Sequence, residues 1–155
     1  EYQYEMVRLG IGIYGVGNSK EEQGSLENVS TLKSVISQIR TVEPNESIGY
    51  SRKFMVKKEM RIATIPIGYA DGIRCAWGNE KGFVSINNQK ATILGNVCMD
   101  MLMVDVTHIN CEERDEVIIF GENPHVNEIA SVCQTIPYEI LTSISQRVKR
   151  IFYKN

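Results

Sequence analysis

A chain of 155 residues with 43% apolar and 23% charged residues has the composition of an ordinary globular protein and the length for one good core. Its net charge of −2 argues against a nucleic-acid surface, since phosphate binding needs a concentrated basic patch and only residues 147–150 are locally basic. No apolar run approaches the roughly 20 residues of a membrane span, and no signal peptide is visible.

Cys75, Cys98, Cys111 and Cys133 form no CxxC pair and no zinc-type spacing with His108 or His125. They read as reduced structural thiols, which favours a reducing compartment such as the cytoplasm. The chain opens at Glu1 without a methionine and goes straight into a strand-like pattern, as expected of part of a longer polypeptide.

In chain order, alternation through Tyr4, Met6 and Val7 predicts a first strand. Gly10 to Gly15 matches GxGxxG, but the polar stretch behind it has no helical period, so a dinucleotide-binding unit is not expected. Glycines with free N–H groups still suit an anion-binding nest. Residues 17–28 read as a linker, 29–42 as one long strand with a bulge, and 43–46 as a turn.

The stretch Ile48 to Gly72 holds two tyrosines, Tyr50 and Tyr69, each behind a glycine at the end of a strand-like run. Such corners fit turn chemistry as well as catalysis. Arg52 and Lys53 follow Tyr50 and are the local cations that would activate a phenol if they stayed close. Between the tyrosines, residues 61–67 predict a buried strand, and a loop from Asp71 to Gly82 then holds Trp77.

Asn87-Asn88 predicts a two-residue hairpin turn between residues 82–86 and 89–94, because Asn tolerates positive φ. Residues 97–107 and 116–120 predict further strands. After His125 the period becomes helical through Val126, Ile129, Ala130 and Cys133, with Asn127 as the expected N-cap. A second helix is expected from Pro137 to about Ser145, and 148–153 predicts a closing strand. The fold class expected is mainly β: a closed, Greek-key-like β-barrel with two short helices near the C-terminus.

Six motifs occur in order: Met6-Val-Arg8-Leu-Gly10-Ile11 with Tyr14-Gly15, Gly49-Tyr50, Ile65-Pro-Ile-Gly-Tyr69-Ala-Asp-Gly72, Val97-Cys-Met99-Asp100, Pro137-Tyr138-Glu139, and Ile144-Ser-Gln-Arg147-Val. Together they resemble the C-terminal part of the bacterial alanine racemases, pyridoxal-phosphate enzymes. The resemblance implies that residues 1–22 are the end of a (β/α)8 barrel domain with its linker, and 23–155 the C-terminal β-barrel domain. It also implies a homodimer in which each C-terminal domain packs head-to-tail on the partner's barrel, with alanine as substrate, and with no nucleic-acid or membrane partner. The lysine that forms the Schiff base lies upstream of this chain, so the isolated chain is expected to be inactive.

The same resemblance implies roles for individual residues. Tyr50 matches the second catalytic base, which serves one face of the α-carbon while the lysine serves the other. A free tyrosine holds its proton to about pH 10, so the assembled site must activate it. Arg8 matches the arginine at the cofactor's pyridine nitrogen; alone it would read as an interface ion pair. Gly10 and Ile11 match the backbone N–H groups at the cofactor phosphate, and Tyr138 the hydroxyl that also reaches it. Met99 matches the residue whose N–H helps bind the substrate carboxylate, although by itself it would read as core. Tyr69 matches a tyrosine at the narrow entrance, while Asp71 and Asp100 orient loops and take no chemical role. No metal is implied. The chain departs from the commonest pattern at Ser51, where Gly often follows the tyrosine, and in the 74–82 loop.

Other readings are an isolated, non-catalytic dimerisation β-domain, or a racemase of serine, lysine or another amino acid. A parent fused behind a peptidoglycan-precursor ligase is also compatible with this sequence.

Overall fold

The computed structural model describes residues 5–153. A 3-10 turn, Ile11–Tyr14, leads to the one-turn helix α1 (Lys20–Gln23). The strands follow as β1 (Leu32–Val35), β2 (Gln38–Val42), β3 (Ser47–Ile48), β4 (Phe54–Met55), β5 (Met60–Ile65), β6 (Phe83–Ile86), β7 (Gln89–Leu94), β8 (Leu102–Asp105) and β9 (Glu116–Phe120). Helices α2 (Val126–Val132) and α3 (Pro137–Ser143) close the fold.

Seven strands form one antiparallel sheet in the order β1-β9-β6-β7-β8-β5-β2. Within it, three consecutive strands and the returning β9 lie in the order β9-β6-β7-β8, which is a Greek key. The mainly-β, barrel-like expectation therefore holds. The sheet's two outer strands, β1 and β2, are joined by Ile36 and Ser37 alone. Ile36 N–H donates to Asp115 O on the β9 side, and Ser37 N–H donates to Thr64 O on β5. The curl is thus stitched by the chain itself rather than by a β1–β2 ladder.

Alternation sorts the side chains of the central strands into two cores. Ala63 and Ile65, Ala91 and Ile93, Leu102 and Val104 join the main core inside the curl, which α2 and α3 also pack against. Their neighbours Ile62, Leu94 and Met103 face the other way, into a smaller core with Val42, Ile48, Val56 and partly buried Phe54. That second core exists because the β3–β4 ribbon covers the outer sheet face, leaving β5, β7 and β8 buried on both sides. Such strands read as nearly continuous apolar runs.

Four sequence expectations are corrected. The first strand does not form in the described part: residues 5–10 are exposed and irregular, and Tyr2 and Tyr4 lie outside the described residues. The 29–42 strand is two strands, because its halves bond to opposite edges of the sheet. In the 97–107 segment only β8 is strand, since Cys98 N–H donates to Met101 O and folds 98–101 into a turn. The 148–153 strand is absent: Arg150 instead folds back to donate to the carbonyls of Ile144, Ser145 and Val148.

The Asn87-Asn88 hairpin is as expected, with φ of 50° and 61°. Helix α2 is capped by His125, not Asn127. His125 Nδ1 accepts from Asn127 N–H, while Glu128 Oε1 accepts from His125 N–H, a capping box built on an imidazole. The linker is not wholly irregular either: Gln23 of α1 donates to Gly15 O and accepts from Gly17 N–H.

Candidate functional site

The loop 49–53 joins β3 to β4 and carries Tyr50 at the ribbon's tip. Gly49 has φ 75°, and Ser51 and Arg52 follow in the left-handed region at 60° and 49°. Two consecutive non-glycine residues there are strained, and such a turn persists only when its surroundings hold it. They do so through the loop 95–101 between β7 and β8. Asn96 Nδ2 donates to Tyr50 O at 3.2 Å, and Asn96 Oδ1 accepts from Asn79 Nδ2 at 2.9 Å. Arg52 Nε turns to Ser47 Oγ at 3.3 Å. Tyr50 itself stands 72% exposed.

The 95–101 loop also receives the second tyrosine corner. Tyr69 N–H donates to Cys98 O at 2.9 Å and Ala70 N–H to Met99 O at 3.0 Å. The backbones meet so closely that a Cβ on Gly68 would stand 2.3 Å from Cys98 O. Tyr69 and Met99 remain 47% and 53% exposed. Tyr50, Tyr69 and Met99 are therefore gathered around one loop although they are far apart in the sequence. Burial pushes the Cys98 thiol up, against a weaker pull from the Tyr50 backbone amide, so this cysteine stays a neutral packing group.

One arginine fastens the assembly. Arg147 Nε donates to Asp71 Oδ1 at 2.7 Å, and another of its nitrogens donates to Asp100 Oδ1 at 2.5 Å. Asp71 Oδ2 accepts from Gly68 N–H, and Asp71 O accepts from Ser145 N–H. Burial works to raise the Asp71 pKa, but the Arg147 and Gly68 hydrogen bonds outweigh it and hold the carboxyl below its ordinary value. The same two carboxylates raise Arg147. Sequence reading placed Arg147 only in a motif; its fork across two carboxylates is visible once the chain is folded.

A second group forms around α3. Tyr138, 38% exposed, brings its hydroxyl over the start of the 3-10 turn: a Cβ on Gly10 would lie 3.8 Å from Tyr138 Oη. Ile11 sinks its side chain into the main core and holds that turn at the surface. The first N–H groups of a helical turn have no acceptor within it, and no side chain among the described residues caps Gly10. An anionic group with several acceptor oxygens fits a glycine edge, open amides and a phenol together. Arg8 is exposed just before this turn. An ion pair between Arg74 and Glu139 ties α3 to the 71–82 loop, and so one group to the other.

Two hollows among the described residues are lined without Tyr50, Tyr69, Met99 or Tyr138. One is a small apolar gap lined by Ile73, Trp77, Ile129 and Ile140, and the other is an open hollow beside Gln23, Glu122 and His125. Among the described residues no three metal-ligating side chains converge, and no helix is long and apolar enough to cross a membrane.

A Greek-key β-domain that presents tyrosines and backbone amides on its surface, rather than enclosing them, is the class that fold and site define. Within that class, the family described as "Alanine racemase, C-terminal domain" matches residues 29–152, and the chain belongs to that family. The alanine racemase of Helicobacter pylori strain P12 is 41% identical over 155 residues, covering 95% of this chain and 41% of that protein. The crystal structure of alanine racemase from Bartonella henselae with covalently bound pyridoxal phosphate superposes with a TM-score of 0.85. It is 33% identical and covers 93% of this chain and 40% of that one. The alanine racemase of Streptomyces coelicolor A3(2) gives a TM-score of 0.89 at 30% identity, covering 96% of this chain and 41% of that one. This chain thus spans about two fifths of the length of the curated relatives it matches.

Proposed function

We propose that the protein to which this chain belongs is a cytoplasmic, pyridoxal-phosphate-dependent alanine racemase that interconverts L- and D-alanine for peptidoglycan synthesis. In this reading residues 1–22 end a (β/α)8 barrel domain. Residues 23–155 form the C-terminal domain, which lends Tyr50 to the site of the partner subunit in a head-to-tail homodimer. The observation that carries the reading is the exposure of Tyr50 on a turn fastened to the Met99 loop. A phenol held rigidly at an open surface suits a site completed by another segment. The names of the relatives support the substrate, and the Bartonella henselae structure supports the cofactor.

Pyridoxal phosphate, when bound, draws electron density from an attached amino acid and so acidifies its α-hydrogen. This chain's residues supply one face of the proton exchange and part of the binding. Tyr50 Oη takes or returns the α-proton on one face. Arg8 would donate a hydrogen bond to the ring nitrogen while keeping its own proton, since a guanidinium does not give it up. Gly10, Ile11 and Tyr138 Oη would hold the phosphate, Met99 N–H the substrate carboxylate, and Tyr69 would narrow the entrance.

Replacing Tyr50 by Phe in the full-length protein tests this. Loss of α-proton exchange from one enantiomer of alanine, by about a hundredfold or more, is expected with cofactor binding retained. Equal loss from both enantiomers would count against a one-sided base. The isolated chain mixed with pyridoxal phosphate is expected to show no stoichiometric covalent attachment by mass spectrometry.

A further inference from the structure

Tyr50 sits in a turn that its own residues do not favour. Gly49, Ser51 and Arg52 all have positive φ, and the last two are not glycines. Something outside the turn must fix it. The side chain that reaches the turn's carbonyl from another element is Asn96, through Tyr50 O, while the Cys98 thiol of the same loop meets the Tyr50 backbone amide. Asn96 is itself held. Its Oδ1 is taken by Asn79, whose N–H donates to Gly95 O at 2.7 Å at the end of β7. With the oxygen committed to Asn79, the amide nitrogen is left to face the Tyr50 carbonyl. Gly95 completes the arrangement, because its φ of 62° and missing Cβ admit Ile48 O, the residue that enters the turn.

We infer that Asn96, oriented by Asn79, is a positioning residue for the proton transfer at Tyr50. This rests on the base role proposed for Tyr50 above. The pair acts as a strut from the end of β7 to the tip of the β3–β4 ribbon. It fixes the carbonyl of the tyrosine, and so the direction from which the phenol leaves the backbone. An amide is required at 96: a carboxylate there would still accept from Asn79 but would set an oxygen against the Tyr50 carbonyl.

The experiment uses full-length protein loaded with pyridoxal phosphate, and measures washout of α-deuterium from L- and D-alanine separately. Tyr50→Phe identifies the enantiomer that depends on the phenol. Asn96→Asp is expected to slow washout from that same enantiomer by about tenfold, the scale of one hydrogen bond lost and one repulsion gained. Washout from the other enantiomer and cofactor affinity should change less than about twofold. Asn79→Ala, whose side chain does not touch Tyr50, should give a smaller loss of the same handedness, about threefold. Combined with Asn96→Asp it should add nothing further. Equal slowing for both enantiomers, or full additivity of the two substitutions, would overturn the strut while leaving the base role intact. A Tyr50→Phe protein without a one-sided loss would overturn the base role, and the strut with it. Should Asn96→Asp fail to fold, Asn79→Ala alone carries the comparison.

Discussion

Arg147 is the residue on which two loops depend. Arg147→Lys keeps the charge but loses the planar fork that spans Asp71 and Asp100. A modest fall in the urea unfolding midpoint is expected, kept small because Arg147 is half in water. The Asp71 pKa is depressed in the folded protein, so its contribution to stability is complete above the unfolded value of about 4 and is lost as pH falls through the lower folded value. An acid titration of the unfolding midpoint should therefore show a limb below pH 4 that Arg147→Ala flattens. Gly72 presents a different constraint. With φ at 108° and a Cβ that would lie 2.4 Å from Ser143 O, Gly72→Ala should cost about 2–4 kcal/mol, measured by the same unfolding. The glycine-tyrosine corners were legible in the sequence as turns because their motifs are local, whereas Met99 by itself reads as core. The Arg147 pairs were not legible, because their partners lie 76 and 47 positions away and no local period announces them.

Among the elements, the β3–β4 ribbon matters most, because it carries Tyr50 and roofs the second core. Ile62 lies under it, whereas Ile93 lies in the main core. Truncating either to Ala should cost about 2–5 kcal/mol. Only Ile62→Ala should also raise amide hydrogen exchange across 47–55, since it undermines the ribbon's seat. Elements with their own turn chemistry were readable in advance: the Asn87-Asn88 hairpin, β9 before Gly121, and α3 behind Pro137. Misreadings arose where a neighbour decided the outcome. An apolar, β-branched run from 29 to 42 looks like one strand, because periodicity cannot say that its halves belong to opposite edges. The 148–153 run has the right composition for a strand but meets no free ladder, and Arg150 turns back on the chain instead. Asn127 looked like a cap because asparagine usually is one, yet His125 supplies the acceptor.

Across the molecule, exposed apolar side chains are spread over the surface, and two groups of them stand out. One is the ends of the described chain, at Met6, Leu9, Ile151 and Phe152, and the other is the pair of loops that carry Tyr50, Met99 and Met101. Isolated exposed apolar residues need no explanation, but groups of them mark surfaces that other protein covers. The isolated chain should accordingly associate with rising concentration in sedimentation experiments, and low salt should not abolish this. The Arg147 fork has a temporal consequence as well. A ribosome makes residues 50, 71 and 100 well before residue 147, so the nascent domain can curl its sheet while the clamp across its loops is still unmade. That tie is therefore among the last contacts synthesis makes available, and a chain ending just before Arg147 would keep strands β1 to β9 and both closing helices but lack the link between the Asp71 and Asp100 loops.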